Sequence, residues 1–123
     1  MNETFINLSN HPSNKWDEKQ MEAAKQYGEI IDIHFPDISA QADESEIVRL
    51  AEQYLNRIKD YHCAAVMIQG EFTFTYHLVK LLEKTGIPAL AACSERKVEE
   101  IVNSDGSVSR IMDFRFVRFR KYI

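Results

Sequence analysis

Cysteine is scarce in this chain: Cys63 and Cys93 are the only two in 123 residues. Two thiols cannot build a disulfide scaffold, and alone they cannot supply a four-ligand zinc site. Glycine is also sparse. Gly28, Gly70, Gly86 and Gly106 stand too far apart for Gly-x-Gly-x-x-Gly, so the dinucleotide fingerprint is missing. No apolar run approaches the roughly 18 residues that a bilayer crossing needs. Met1 to Phe5 carries an acid and no base, unlike a secretory leader, and a reducing cytoplasm is the expected compartment. Positive charge is in deficit, with 15 basic against 19 acidic residues and a net charge of −4. Counterion release from duplex phosphates usually needs the opposite balance, so neither a duplex nucleic acid nor a membrane is expected as a partner. A small anionic ligand stays open, because it needs only local donors. Histidine, cysteine and carboxylate residues show no metal-ligand spacing, so neither a metal nor another cofactor is expected.

What is present fits one domain spanning residues 1–123. Apolar residues make up 45% and charged residues 28%, and about two-thirds of the unfolded surface can be buried at this length. Phe5 to Ser9 reads as a buried strand followed by a polar loop. Asn14, with Asp17 three residues on, reads as a helix start. That helix should run to Tyr27 with Gly28 as its C′ residue. Glu29 to Phe35 is a second strand, closed by Pro36. Asp43 to Glu46 opens an amphipathic helix whose apolar stripe is Ile47, Leu50, Ala51, Tyr54, Leu55 and Ile58. Cys63 to Ile68 is a continuous apolar strand, as expected of one covered on both faces. A third helix carries Thr75, Leu78, Val79 and Leu82 on one side and closes at Gly86. Ile87 to Cys93 reads as a fourth buried strand, with Pro88 at its first turn or edge. Val98 to Val102 and Val108 to Phe119 flank Asp105-Gly106, a strong hairpin signal. The pattern predicts a three-layer, Rossmann-like α/β fold. Its four-stranded parallel sheet has order 2-1-3-4, right-handed crossovers and a C-terminal antiparallel hairpin on the last edge.

In such a sheet, ligands bind beyond the carboxyl ends of the strands at the switch point, here between strands one and three. Two loops meet there: Ser9-Asn10-His11-Pro12-Ser13-Asn14-Lys15 and Gln69-Gly70-Glu71-Phe72-Thr73. Cys93-Ser94-Glu95-Arg96, read as a turn at the end of strand four, lies alongside. Each segment sits at a helix start or a chain reversal, where free N–H groups favour anions. His11 is the one histidine in a predicted site loop, while His34, His62 and His77 read as structural or surface residues. Ser9, Asn10 and His11 could equally serve only to build the turn. Gly70 fits either a backbone requirement or room for a ligand, and Glu71 fits a helix start through the dipole. Thr73 could contact a ligand, whereas Thr75 reads as core. Cys93 reads as a bystander, with Ser94 and Arg96 the better hydroxyl donor and phosphate clamp. Trp16 reads as core or a helix-entry staple, yet it is near enough the loop to stack on a base. Arg115, Arg118, Arg120 and Lys121 interleave with Phe114, Phe116 and Phe119, which fits an aromatic–basic nucleic-acid surface but more often marks an edge strand with one packed face and protective charges. Asp37 to Ala42 reads as a flexible segment beside the site.

Four segments together resemble a known group of proteins: Ile6-Asn7-Leu8-Ser9-Asn10-His11-Pro12, Gln69-Gly70-Glu71-Phe72-Thr73-Phe74-Thr75, Ala92-Cys93-Ser94-Glu95-Arg96 and Phe114-Arg115-Phe116-Val117-Arg118-Phe119-Arg120. They look like the small CRISPR-associated accessory proteins of type III systems, a group that includes ring nucleases. The resemblance implies a CARF-like Rossmann domain and a twofold homodimer. It also implies a cyclic oligoadenylate, most naturally cyclic tetra-adenylate, lying across the dimer axis. It further implies metal-independent cleavage by the ribose 2′-OH, which would switch off type III CRISPR signalling. On this chain the resemblance casts His11 as acid/base or phosphate ligand, Arg96 as phosphate clamp, and Glu71 as proton acceptor or adenine reader. Ser9, Asn10, Ser13, Lys15, Gln69, Gly70, Thr73 and Ser94 would hold phosphates and riboses. Two other readings stay open at this level: a sensor or sponge that binds the ring without cutting it, and an unrelated nucleotide- or phosphate-binding enzyme.

Overall fold

Every residue of the first strand, β1 (Thr4–Ser9), is buried, as expected in the middle of a sheet covered on both faces. The computed structural model describes residues 2–123. In it, β1 pairs in parallel with β2 (Glu29–His34) on one side and β3 (Cys63–Ile68) on the other. β4 (Ala89–Val102) follows β3 in parallel, and β5 (Val108–Lys121) returns antiparallel along β4. The order is therefore β2-β1-β3-β4-β5, the expected 2-1-3-4 with the hairpin's return strand on the last edge.

Alternation along β1 divides the core in two. Ile6 and Leu8 join Val66 and Ile68 of β3 under two helices, α2 (Glu44–Lys59) and α3 (Phe72–Thr85). Ile47, Ala51 and Ile58 from α2 meet Phe74, Leu78 and Leu82 from α3 in this larger cluster. Phe5 points the other way, to Ala24 of the short helix α1 (Glu18–Lys25) and to Ala65, Met67 and Leu90. The stripe read from residues 47 to 58 is thus the buried face of α2. Pro88 precedes β4 and accepts the Val66 N–H through its carbonyl.

Four details differ from the sequence reading. The helix start lies at Asp17, not Asn14: residues Ser13–Lys15 form a 3₁₀ turn, and the Asp17 carboxylate accepts the Gln20 N–H at 2.8 Å. Asn14 carries the same kind of cap-forming side chain, so local chemistry offered two starts. Gly28 is not a C′ residue. The helix ends at Gln26, and a Cβ on Gly28 would overlap the Glu3 carbonyl that receives the Glu29 N–H.

The third difference is the largest. Cys93-Ser94-Glu95-Arg96 is not a chain reversal. β4 runs straight through it to Val102, with only a register shift against β5 at Cys93/Ser94. β3 pairs with β4 only at Val66↔Ala89 and Met67↔Leu90, so beyond Leu90 the strand's only ladder partner is β5. A polar stretch with neither face in the core lacks the apolar signal of a strand, and here antiparallel pairing overrides it. Fourth, no residue of Asp37 to Ala42 lines the cleft at the carboxyl ends of β1 and β3. Ile38 and Ala42 pack on the larger core, and the segment lines a depression with Leu50 and Gln53 of α2.

Gly70 has a packing reason. A Cβ there would overlap the ring of Phe35, which lies edge-on to Phe74 at 5.2 Å. Gly70→Ala is expected to destabilise the fold by about 1–3 kcal/mol through overpacking. Urea unfolding should show this as a lower midpoint at unchanged slope.

Candidate functional site

The loop after β1 is shaped by a buried asparagine. Asn7 stands opposite Asp32 in the β1–β2 ladder. Its Nδ2 donates to Asp32 Oδ1 at 2.9 Å and to the His11 carbonyl at 2.8 Å. Its Oδ1 accepts the Ser9 hydroxyl at 2.7 Å, and Ser9 Oγ in turn accepts the His11 N–H at 3.2 Å. Asp32 then takes Ser13 through both its N–H and its hydroxyl, at 3.2 and 3.0 Å. Ser9 and Ser13 therefore build the turn, the plainer of the two roles considered for this loop, and the turn presents His11 with an exposed side chain.

His11 borders a cleft of about 510 Å³ at the carboxyl ends of β1 and β3, within the usual range for small-molecule sites. The loop supplies Ser9, His11 and Lys15, and β3 supplies Met67 and the following Gln69. The start of α1 supplies Trp16, Asp17 and Gln20. β4 adds Ala92 and Ser94, while Asp113, Phe114 and Phe116 come from β5. Five predicted residues are thus brought together: Ser9, His11, Lys15, Gln69 and Ser94. The Gln69 Oε1 accepts the Ala92 N–H just past the last β3–β4 ladder pair. This anchors the side chain at the wall of the cleft. Trp16 packs near-perpendicular to Phe5 at 6.3 Å and also contacts Phe119, so it serves as core wall and cleft wall together.

The remaining predicted residues lie elsewhere. Arg96 is exposed on the hairpin opposite Phe114 and does not line the cleft. Because β4 does not turn at Ser94, its side chain is carried outward rather than back over the mouth. Glu71 caps α3, accepting the Phe74 N–H at 2.8 Å and the Thr73 hydroxyl at 2.6 Å. These bonds, the Thr73 hydroxyl foremost, hold its carboxyl below the usual carboxylate range, which makes it a poorer base. Thr73 is occupied in that cap, and Gly70 meets Phe35 rather than the cleft. Asn10 and Ser13 also fall outside the lining. Thr75 is buried with its hydroxyl unpaired, as a core residue. Burial pushes the Cys63 thiol up to about 11, which leaves it protonated and unreactive. Among the described residues, no group of three or more histidine, cysteine or carboxylate side chains is placed to hold a metal ion.

Sequence reasoning does not find Asp17, Gln20, Met67, Ala92 and Asp113 as cleft lining, nor Phe114 and Phe116, which it places on an aromatic–basic surface or an edge-strand face. Asp17 does double duty: besides capping α1 it accepts the Phe116 N–H at 3.2 Å and so ties α1 to β5. A contact across 99 residues leaves no local mark, although Asp17 was visible as a capping residue. The lining carries one lysine and two carboxylates, a mixed rather than a strongly positive field.

A family model described as the Uncharacterized protein MJ1673 family matches residues 3–120, and the chain belongs to that family. A search of curated proteins found none that matches.

The carboxylates of Glu71 and Asp43 cap α3 and α2, and hydrogen bonds from Thr73 and Ser45 lead the causes holding each below its ordinary range. A depressed folded-state value gives stability that is present above the unfolded value and lost as pH falls through the folded one. The melting temperature should therefore drop between about pH 5 and about pH 3. Circular dichroism melts should show a smaller drop for Glu71→Gln than for the parent chain.

Proposed function

We propose that this cleft binds a cyclic oligoadenylate and opens the ring with the ligand's own 2′-OH, on a CARF-like, Rossmann-type domain acting as a cytoplasmic homodimer. The reading rests above all on one observation: His11, Lys15 and Ser94, from separate segments, meet in a single cleft beside Trp16 and Phe114. That combination offers an imidazole, a cation, a hydroxyl and aromatic surfaces for adenine within one enclosure.

In the proposed step, the 2′-oxygen forms a bond to the adjacent phosphorus as the bond to the 5′-oxygen breaks. The products are a 2′,3′-cyclic phosphate and a free 5′-hydroxyl. His11 takes the 2′-OH proton or delivers one to the departing 5′-oxygen. Lys15 replaces Arg96 as the cation beside the phosphate. Ser94 and the Gln69 amide orient the ribose and phosphate for in-line attack. Glu71 and Arg96 drop out of the catalytic set, for the reasons of placement given above.

A second reading, a sensor or sponge that holds the ring intact, is favoured by the charge of the lining. Asp17 and Asp113 outnumber Lys15, which is thin stabilisation for a pentacoordinate phosphorane.

Incubation with labelled cyclic tetra-adenylate in EDTA separates the two. Cleavage predicts linear products ending in a 2′,3′-cyclic phosphate, and His11→Ala should slow their formation about 10²-fold or more while retaining binding. Retention of intact ring by the parent chain would support the second reading. Unchanged cleavage by His11→Ala would remove His11 from its role, and absence of binding would overturn both readings.

A further inference from the structure

The β4–β5 ribbon projects past the rest of the sheet, since β3 pairs with β4 no further than Leu90. A two-stranded ribbon is marginal alone and gains stability when a face is covered. Directly paired residues of an antiparallel ladder share a face, so the register sorts the ribbon into two. One face pairs Glu95 with Arg115, Lys97 with Asp113 and Glu99 with Ile111, and is largely charged. The other pairs Ser94 with Phe116, Arg96 with Phe114 and Val98 with Met112. Towards the tip it continues with Glu100 beside Arg110 and ends at Val102 beside Val108. Phe114 is 65% exposed on this face, Met112 52% and Val102 74%.

The row order on that face is complementary to its own reverse. Outward from the Val98–Met112 row, one neighbour carries a cation and an aromatic ring, and the other a carboxylate and a cation that bridge at 3.4 Å. The outermost rows at both ends include apolar side chains. We infer that this face packs against the same face of a second copy of this chain, across a twofold axis through the Val98–Met112 row. Inverting the rows sets Arg96 over Glu100 of the second copy and Phe114 over its Arg110, an ion pair and a cation–π contact. Ser94 then meets the second copy's ribbon tip, while Phe116 is already buried within its own chain. Since Ser94 lines the cleft, that tip borders the mouth. Phe114 belongs both to this face and to the cleft, so the second copy and a bound ligand would share that ring. The stripe is about 30 Å long and about 10 Å wide, short of the roughly 800 Å² per partner of a standard interface. The dimer should therefore dissociate on dilution.

Sedimentation velocity of the full chain without ligand, over a concentration series, tests this. The expected mass at high concentration is twice 14.3 kDa. Val98→Asp with Met112→Asp should sediment at half the dimer mass with unchanged far-ultraviolet circular dichroism, because both side chains are exposed. Arg96→Glu should weaken the dimer at least tenfold, and adding Glu100→Arg should recover part of the loss. A parent chain that stays monomeric throughout, or a dimer that survives the double aspartate substitution, would overturn the inference.

Discussion

A buried carboxamide at position 7 sets the geometry of the strand-end mouth. Both polar atoms of the Asn7 side chain are paired, as burial in a covered strand demands. Because the side chain is short, those pairings draw the following loop back onto the sheet and clamp it to Asp32 of β2. An apolar residue would satisfy burial equally well. It would leave the His11 carbonyl and the Asp32 carboxylate without a common anchor. The position of the imidazole is therefore a consequence of hydrogen-bond satisfaction inside the sheet, one layer below the surface where a ligand would sit.

The second determining feature is the unequal length of the strands. β3 is six residues long and β4 fourteen, so β4 passes the end of its parallel neighbour and continues as one arm of a ribbon. Two side chains manage the step. Gln69 receives the Ala92 N–H that β3 no longer reaches, and Asp17 receives the Phe116 N–H at the outer edge of β5. The ribbon thereby becomes a wall of the cleft, contributing Ser94, Phe114 and Phe116. The same overhang removes Arg96 from the mouth and leaves a mixed face, with Val98, Met112 and Phe114 exposed.

Much of the fold was legible in the chain because its signals are local or periodic. The α2 stripe from Ile47 to Ile58 repeats at helical spacing, and Cys63 to Ile68 is apolar throughout. Asp105-Gly106 marks the turn that joins β4 and β5. The place of His11 at the mouth also followed from sheet order, since strand ends at a switch point converge, whereas Ser94 reaches it from the middle of β4. The misreadings share a cause. Asn14 and Asp17 are chemically alike as helix caps, and only the contact to Phe116 distinguishes them in space. Cys93 to Arg96 looks like a turn because its residues are polar, yet polarity in a two-faced exposed ribbon carries no information about direction. Gly70 suggests ligand access until Phe35 is seen to fill the space.

Taken alone, the sequence determined the element types, the strand order and which loops share one end of the sheet. Those follow from hydrophobic periodicity and connection rules that act within a few residues or one crossover. Which side chains in those loops stay free depends on packing across the fold. Ser9, Ser13, Glu71 and Thr73 are taken up by hydrogen bonds within the protein, while His11, Lys15 and Ser94 face a common space. Competition among polar groups for partners is settled by distances across the fold, and no spacing along the chain encodes them.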